Sequence, residues 1–220
     1  MTNKIKSWSY SRYATYKQCP QKAKFKYIDK LDDPSGPAAE RGTEIHLKLQ
    51  KYIEGKSNRM PVECHPKHVD TIKLLRRKHA VCEGEWAFTD KWNVTGWFSP
   101  EAWLRVKIDA LYIDKAVAHV FDHKTGKFRP GQYDEQLLQY CMATLLMYPD
   151  VVTVESTLLF HDTGDIVKKT LHRAYLDKVK AKVLESVEAM LSDTRFAPCP
   201  GVLCGWCSFS KKKGGPCKMA

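Results

Sequence analysis

Asp122 and Lys124 stand two residues apart in the segment Val120-Phe121-Asp122-His123-Lys124-Thr125-Gly126-Lys127, which begins apolar and ends as a basic turn. Residues i and i+2 of a strand project to the same side of a sheet. Asp122 and Lys124 therefore point together, and His123 points the other way. A second carboxylate, Asp109, is embedded in the apolar run 104–113, "LRVKIDALYI", where an unpaired charge would be costly. A turn near Asp114–Ala116 would make the two runs neighbouring antiparallel strands and bring Asp109 and Asp122 together. Two adjacent carboxylates repel unless a cation lies between them, and hard oxygen donors suit Mg²⁺ or Mn²⁺. A lysine beside such an ion can hold an attacking water or stabilise charge on a phosphate. The simpler alternative is a structural ion pair between lysine and carboxylate.

The elements that must position these groups are legible from periodicity and breakers. Residues 9–30 read as helix with a break near Cys19-Pro20, and Pro20 can open a second helix at its first position. Residues 31–42, "LDDPSGPAAERG", read as a loop. A helix follows from Thr43 to Ile53, with Ile45, Leu49, Tyr52 and Ile53 on one stripe. Residues 68–81 form a basic helix, and strands are expected at 82–89, 102–114 and 117–124. Residues 134–148 are the clearest helix, ended by Pro149. A buried strand at 151–160 and a long amphipathic helix at 174–191 complete the order, and the tail from Phe196 is irregular. This is a single α/β domain; its 220 residues are enough for a substantial core.

The net charge of +11, from 36 Lys and Arg against 25 Asp and Glu, favours a polyanionic partner, nucleic acid being the commonest. No apolar run is long enough to cross a membrane, and the first residues lack the apolar centre of a secretory signal. A cytoplasmic protein is expected. Eight cysteines in such a chain point to metal binding or buried thiols rather than disulfides. "HKTGK" lacks the glycine five residues before Gly126 that a phosphate loop needs. His119 and His123, on a strand facing away from Asp122, are read as structural.

Four motifs occur in order: "GTEIH" (42–46), "ID" (108–109), "DHKTGK" (122–127) and "QLLQY" (136–140). Together they resemble the RecB-like branch of the PD-(D/E)XK nuclease superfamily, along nearly the whole chain. The resemblance implies a restriction-endonuclease-like α/β core, a mixed sheet flanked by helices, with N-terminal helices and a Cys-rich C-terminal tail. It implies His46, Asp109, Asp122 and the main-chain carbonyl of His123 as ligands of Mg²⁺ or Mn²⁺, and Lys124 as the catalytic lysine. Gln136 and Tyr140, one helical turn apart, would match the Q-x-x-x-Y motif and position Lys124 or the DNA strand.

In the tail, Cys204 and Cys207 have the C-x-x-C spacing with which one loop holds a metal. Cys217 is nearby, and a fourth ligand is available from Cys199 or from distant Cys19. Iron–sulfur members of the resembled family join one N-terminal cysteine in a "CP" context to three C-terminal ones. That resemblance selects Cys19, Cys204, Cys207 and Cys217 for a [4Fe–4S] cluster, bringing 1–31 and 196–220 together. Zinc held with Cys199 is the alternative, and Cys64, Cys82 and Cys141 are read as ordinary thiols.

The expected activity is metal-dependent hydrolysis of DNA, by an exonuclease acting at ends or in single strands. The length suits a stand-alone enzyme of phages or of CRISPR spacer acquisition, in a bacterium or a phage-infected cell, with a recombination or DNA-processing partner possible. Lys22, Lys26, Arg76, Arg77, Lys127 and the Lys211–Lys213 run are candidates for backbone contacts, and Trp8, Tyr10 and Tyr13 for base stacking or core packing. Two other classes compete: a non-catalytic DNA-binding protein of the same fold, and a zinc-binding interaction module.

Overall fold

The chain begins with two short helices separated by a single residue. In α1 (Tyr10–Gln18) the Ser9 side chain caps the first turn, accepting the Arg12 N–H. Cys19 ends α1 in extended backbone, and Pro20 opens α2 (Pro20–Tyr27) with a φ already suited to a helix. α3 (Pro37–Ile53) starts earlier than the expected Thr43. Pro37 takes its first position behind Gly36, so half of the expected loop is helical. α4 (Val69–Arg77) follows a single 3₁₀ turn at Pro66–His68.

The sheet contains β1 (Val81–Phe88), β2 (Val94–Thr95), β3 (Leu104–Asp114), β4 (Val117–Lys124), β5 (Thr153–Phe160) and β6 (Ile166–His172), in the order β2-β1-β3-β4-β5-β6. Every pairing is antiparallel except β4 with β5. That parallel pair needs a crossover, supplied by α5 (Asp134–Met147). α6 (Leu176–Ser192) follows β6. Two strands were missed in the sequence. β2 is only two residues long, and β6 carries Lys168 and Lys169 on an edge where one face stays exposed.

These elements come from a computed structural model that describes residues 4–219. The chain divides into two compact units: residues 36–183, and the two chain ends 1–35 with 184–220. In the larger unit α3 and α4 bury Ile45, Leu49, Ile72 and Leu75 with Ala110, Phe121 and Leu159 of the sheet. In the smaller unit Trp8, Tyr13, Phe196 and Phe209 are buried. Trp8 and Tyr13 are thus core residues, unavailable for stacking on bases; Tyr13 is the residue that α1 buries, and Trp8 packs just ahead of that helix.

Candidate active site

The β3–β4 ladder ends at the pair Ala110–Phe121, and continuing its register by one step sets Asp109 against Asp122. Here the carboxylate takes over from the backbone, as Asp109 Oδ2 accepts the main-chain N–H of His123 at 2.6 Å. The same oxygen lies 3.2 Å from His46 Nδ1. His46 is delivered by α3, whose stripe of Ile45 and Leu49 fixes the helix on its core.

Asp122 is buried, 6% exposed, and its two oxygens have different neighbours. Oδ2 meets Lys124 Nζ at 2.6 Å, the same-side placement that the i, i+2 spacing requires. Oδ1 accepts the Tyr140 hydroxyl, and Gln136 Nε2 donates to that hydroxyl at 2.8 Å. Gln136 and Tyr140 lie four residues apart on α5, hence on one helix face. The five expected side chains Asp109, Asp122, Lys124, Gln136 and Tyr140 are linked with His46 around one strand end.

The electrostatics follow from burial and these pairings. Burial opposes protonation of His46, but the hydrogen bond and charge of Asp109, with Asp122 behind it, outweigh that and raise its pKa. The Tyr140 hydroxyl is held well above its ordinary pKa, first by burial and then by Asp122, so it stays a donor.

His123 points to the other face, buried beside His161, whose Nε2 lies 3.1 Å from His123 Nδ1. Burial pushes both imidazoles down to about 3. His68 Nε2 lies 3.1 Å from the Phe160 carbonyl. A carbonyl only accepts, so His68 carries its proton on Nε2. His119 is paired with Glu155 and stacked on Tyr112, a structural role.

Local sequence reading missed several supports. Asp162, just after β5, receives Arg41 through both oxygens at 2.7 and 2.9 Å, and also accepts the Gly126 N–H at 2.6 Å. It thereby ties α3 to the turn after Lys124. Gly42 belongs to the same junction, since a Cβ there would meet Thr125 Oγ1 at 3.1 Å. Glu83 has φ +54 within β1, lies between the paired residues Cys82 and Gly84, and pairs with Lys107 at 2.8 Å. The parallel crossover brings Asp162 to the site, and no sequence spacing announces it.

Among the expected DNA contacts, Arg77 and Lys127 are exposed. Arg76 is engaged internally, donating to the Ser57 carbonyl and Asn58 and lying over the Tyr52 ring. Lys26 pairs with Asp33 at 2.6 Å, and Lys22 lies 3.2 Å from Gln18.

All eight cysteines are free thiols. Cys19, Cys199, Cys204, Cys207 and Cys217 line one cavity within the smaller unit. The Cys199 N–H approaches Cys19 Sγ at 3.4 Å, and Cys217 Sγ lies 3.2 Å from Gln21 Oε1. Cys64, Cys82 and Cys141 lie elsewhere, with thiols pushed up to about 11, 12 and 11, chiefly by burial.

The donor set suits a hard divalent cation, because Asp109 and Asp122 present carboxylate oxygens from adjacent strand positions. Among the described residues no three His, Cys, Asp or Glu side chains are drawn together as a single-ion site. One oxygen of each aspartate instead faces a basic group, His46 or Lys124.

No curated protein matches the chain. Solved structures similar to it include the following two. One, described as SSO0001, is 16% identical, covers 98% of this chain and 88% of that one, and has a TM-score of 0.47. The other, a proposed exonuclease of Eubacterium rectale, is 12% identical, covers 92% of this chain and 87% of that one, and also has a TM-score of 0.47. The profile of one family matches residues 7–211, a span that includes His46, Asp109, Asp122, Lys124, Gln136 and Tyr140 and ends before Cys217, and on that match the chain belongs to the PD-(D/E)XK nuclease superfamily.

Proposed function

We propose that the protein is a Mg²⁺- or Mn²⁺-dependent deoxyribonuclease of the RecB-like branch, an exonuclease acting at DNA ends or in single strands. One observation carries this reading: Asp109 holds the main-chain N–H of His123, next to Asp122, and Lys124 lies 2.6 Å from Asp122. A structural ion pair would need one carboxylate; here a second, Asp109, brings His46 and the His123 main chain to the same strand end.

Asp109, Asp122, His46 and the His123 carbonyl would hold the ion, which when bound polarises a phosphate oxygen and acidifies a water. Lys124 contributes a positive charge fixed by Asp122, aimed where negative charge grows on the phosphate during attack. Tyr140 and Gln136 fix the Asp122 carboxylate through one chain of hydrogen bonds. Asp109, by accepting the His123 N–H, sets the backbone from which Lys124 projects. Lys127 and Arg77 are free to meet the DNA backbone, in keeping with their exposure. DNA as the substrate carries the cytoplasm of a bacterium or phage-infected cell as the working compartment.

The cysteine-lined cavity supports a [4Fe–4S] cluster on Cys19, Cys204, Cys207 and Cys217, joining the two ends of the chain. Zinc with Cys199 is the rival, favoured by the position of Cys199 on the same cavity.

The activity test is incubation with end-labelled linear, circular and single-stranded DNA, with and without Mg²⁺ or Mn²⁺. Loss of label from linear and single-stranded substrates only, and only with metal, is the expected result. Cleavage of circles would replace exonuclease by endonuclease action, and no cleavage of any substrate would leave the non-catalytic DNA-binding reading.

A further inference from the structure

The basic charge of this chain is concentrated. Residues 1–35 and 184–220 hold thirteen Lys and Arg against six Asp and Glu, and so supply +7 of the net +11. From Thr194 to the C-terminus there are four lysines and one arginine, and no acidic residue. A stretch with that excess of positive charge attracts polyanions, and Asp33, a carboxylate that reaches it, is engaged by Ser208 and Lys26.

Within this stretch one large aromatic side chain is turned outward. A 3₁₀ turn at Val202–Trp206 leaves Trp206 76% exposed, with Val202 and Leu203 also exposed. Phe209, three residues on, is buried, its ring centroid 5.5 Å from that of Phe25. The tail therefore has a core, and the indole is outside it. Trp206 is also outside the cysteine cavity, which takes Leu203, Cys204 and Cys207 from the same turn. A second 3₁₀ turn, Lys211–Lys213, is exposed. Lys213 Nζ donates to the Trp206 carbonyl at 3.1 Å, which fastens the lysine turn to the residue that bears the indole.

An exposed indole whose main chain is fastened to a turn of three exposed lysines is an arrangement that can receive an unpaired base with its phosphates. Base–aromatic stacking is sequence-tolerant because every base has a π-face, and lysines track the backbone. Duplex DNA offers no free base face. We propose that Trp206 and Lys211–Lys213 form a platform for single-stranded nucleic acid, with one base on the indole and the adjoining phosphates on the lysines. The choice of nucleic acid over other polyanions rests on the nuclease reading above. The platform itself is a binding site and needs no cleavage to be seen.

The test is fluorescence anisotropy of the full chain, in EDTA, with a 5′-fluorescein-labelled 15-mer of thymidylate and with a labelled duplex of equal length. Trp206→Ala should weaken single-strand binding about tenfold, within the range for one lost stack, and leave its salt dependence unchanged. Trp206→Phe should stay within about threefold of wild type. The triple Lys211→Ala, Lys212→Ala, Lys213→Ala variant should instead lower the log–log salt slope by about 2. Duplex binding should not respond to Trp206→Ala. Should Trp206→Ala fold poorly by circular dichroism, Trp206→Leu against Trp206→Phe decides, because leucine keeps apolar bulk without a π-face.

Unchanged single-strand affinity in Trp206→Ala overturns the platform, and so does an equal loss on duplex. The same holds if the variant loses binding to phosphatidylglycerol vesicles while keeping the oligonucleotide. A protein that binds the oligonucleotide through Trp206 but cleaves nothing leaves the platform standing and removes the nuclease reading instead.

Discussion

The Asp109 carboxylate accepts the main-chain N–H of His123 at 2.6 Å, at the point where the β3–β4 ladder passes beyond the pair Ala110–Phe121. One side chain thus does the work of a backbone carbonyl and also presents negative charge beside Asp122. The two jobs can be separated. In Asp109→Asn the amide oxygen can still accept the His123 N–H, so stability should fall by less than about 1 kcal/mol. Asp109→Ala orphans that N–H and should cost about 1–3 kcal/mol. Cleavage should drop at least about 100-fold in both, since neither keeps the charge. Urea denaturation alongside a cleavage assay checks this; equal stability loss in the two variants would mean the hydrogen bond contributes nothing.

Lys124 and Asp122 form one contact but have different duties in the proposed reaction. Lys124→Ala should lower turnover by about 10²–10³-fold or more, with Mn²⁺ and DNA binding largely kept. Asp122→Ala should lose Mn²⁺ binding as well. Isothermal titration with Mn²⁺, set beside cleavage rates, separates the two. Near-wild-type turnover in Lys124→Ala would remove the lysine from the mechanism.

The buried histidines predict acid sensitivity. His123 and His161 are pushed down to about 3 in the folded chain, against about 6.5 when unfolded. Between those values the unfolded chain binds more protons, so their contribution is complete above pH about 6.5 and lost as the pH falls toward 3. Each can remove up to about 1.4 kcal/mol per pH unit. His46, with its raised pKa, acts oppositely: its contribution is present below about 6.5 and fades as the pH rises through its folded value. Urea midpoints in EDTA from pH 7.5 to 4.5 should fall steadily, and His161→Gln should flatten the fall. An unchanged slope in that variant would show that His161 is protonated in the native state.

The cysteine cavity gives the last prediction. Protein purified without oxygen should be brown, and Cys19→Ser should lose both colour and stability while Cys199→Ser keeps both. A colourless protein with stoichiometric zinc, sensitive to Cys199→Ser and indifferent to Cys19→Ser, would establish the rival site. Metal analysis of both variants distinguishes them.

Spacing alone placed Asp122 and Lys124 on one face and His123 on the other, because a strand alternates by geometry at every residue. It also placed Gln136 and Tyr140 on one helix face and made β3 and β4 neighbours through a short turn. These are local relations, fixed by backbone periodicity over a few residues. Composition marked the cysteine tail as a candidate metal site. The tertiary structure decided what distance along the chain conceals: Asp162 of the β5–β6 turn clamping Arg41 and Gly126, and His161 beside His123. Both depend on the parallel β4–β5 pairing, which α5 makes possible and no local pattern specifies. It also decided that Trp8 and Tyr13 are buried while Trp206 is not. Exposure of an aromatic ring depends on what the rest of the chain packs against it, and a sequence window of a few residues does not contain that information.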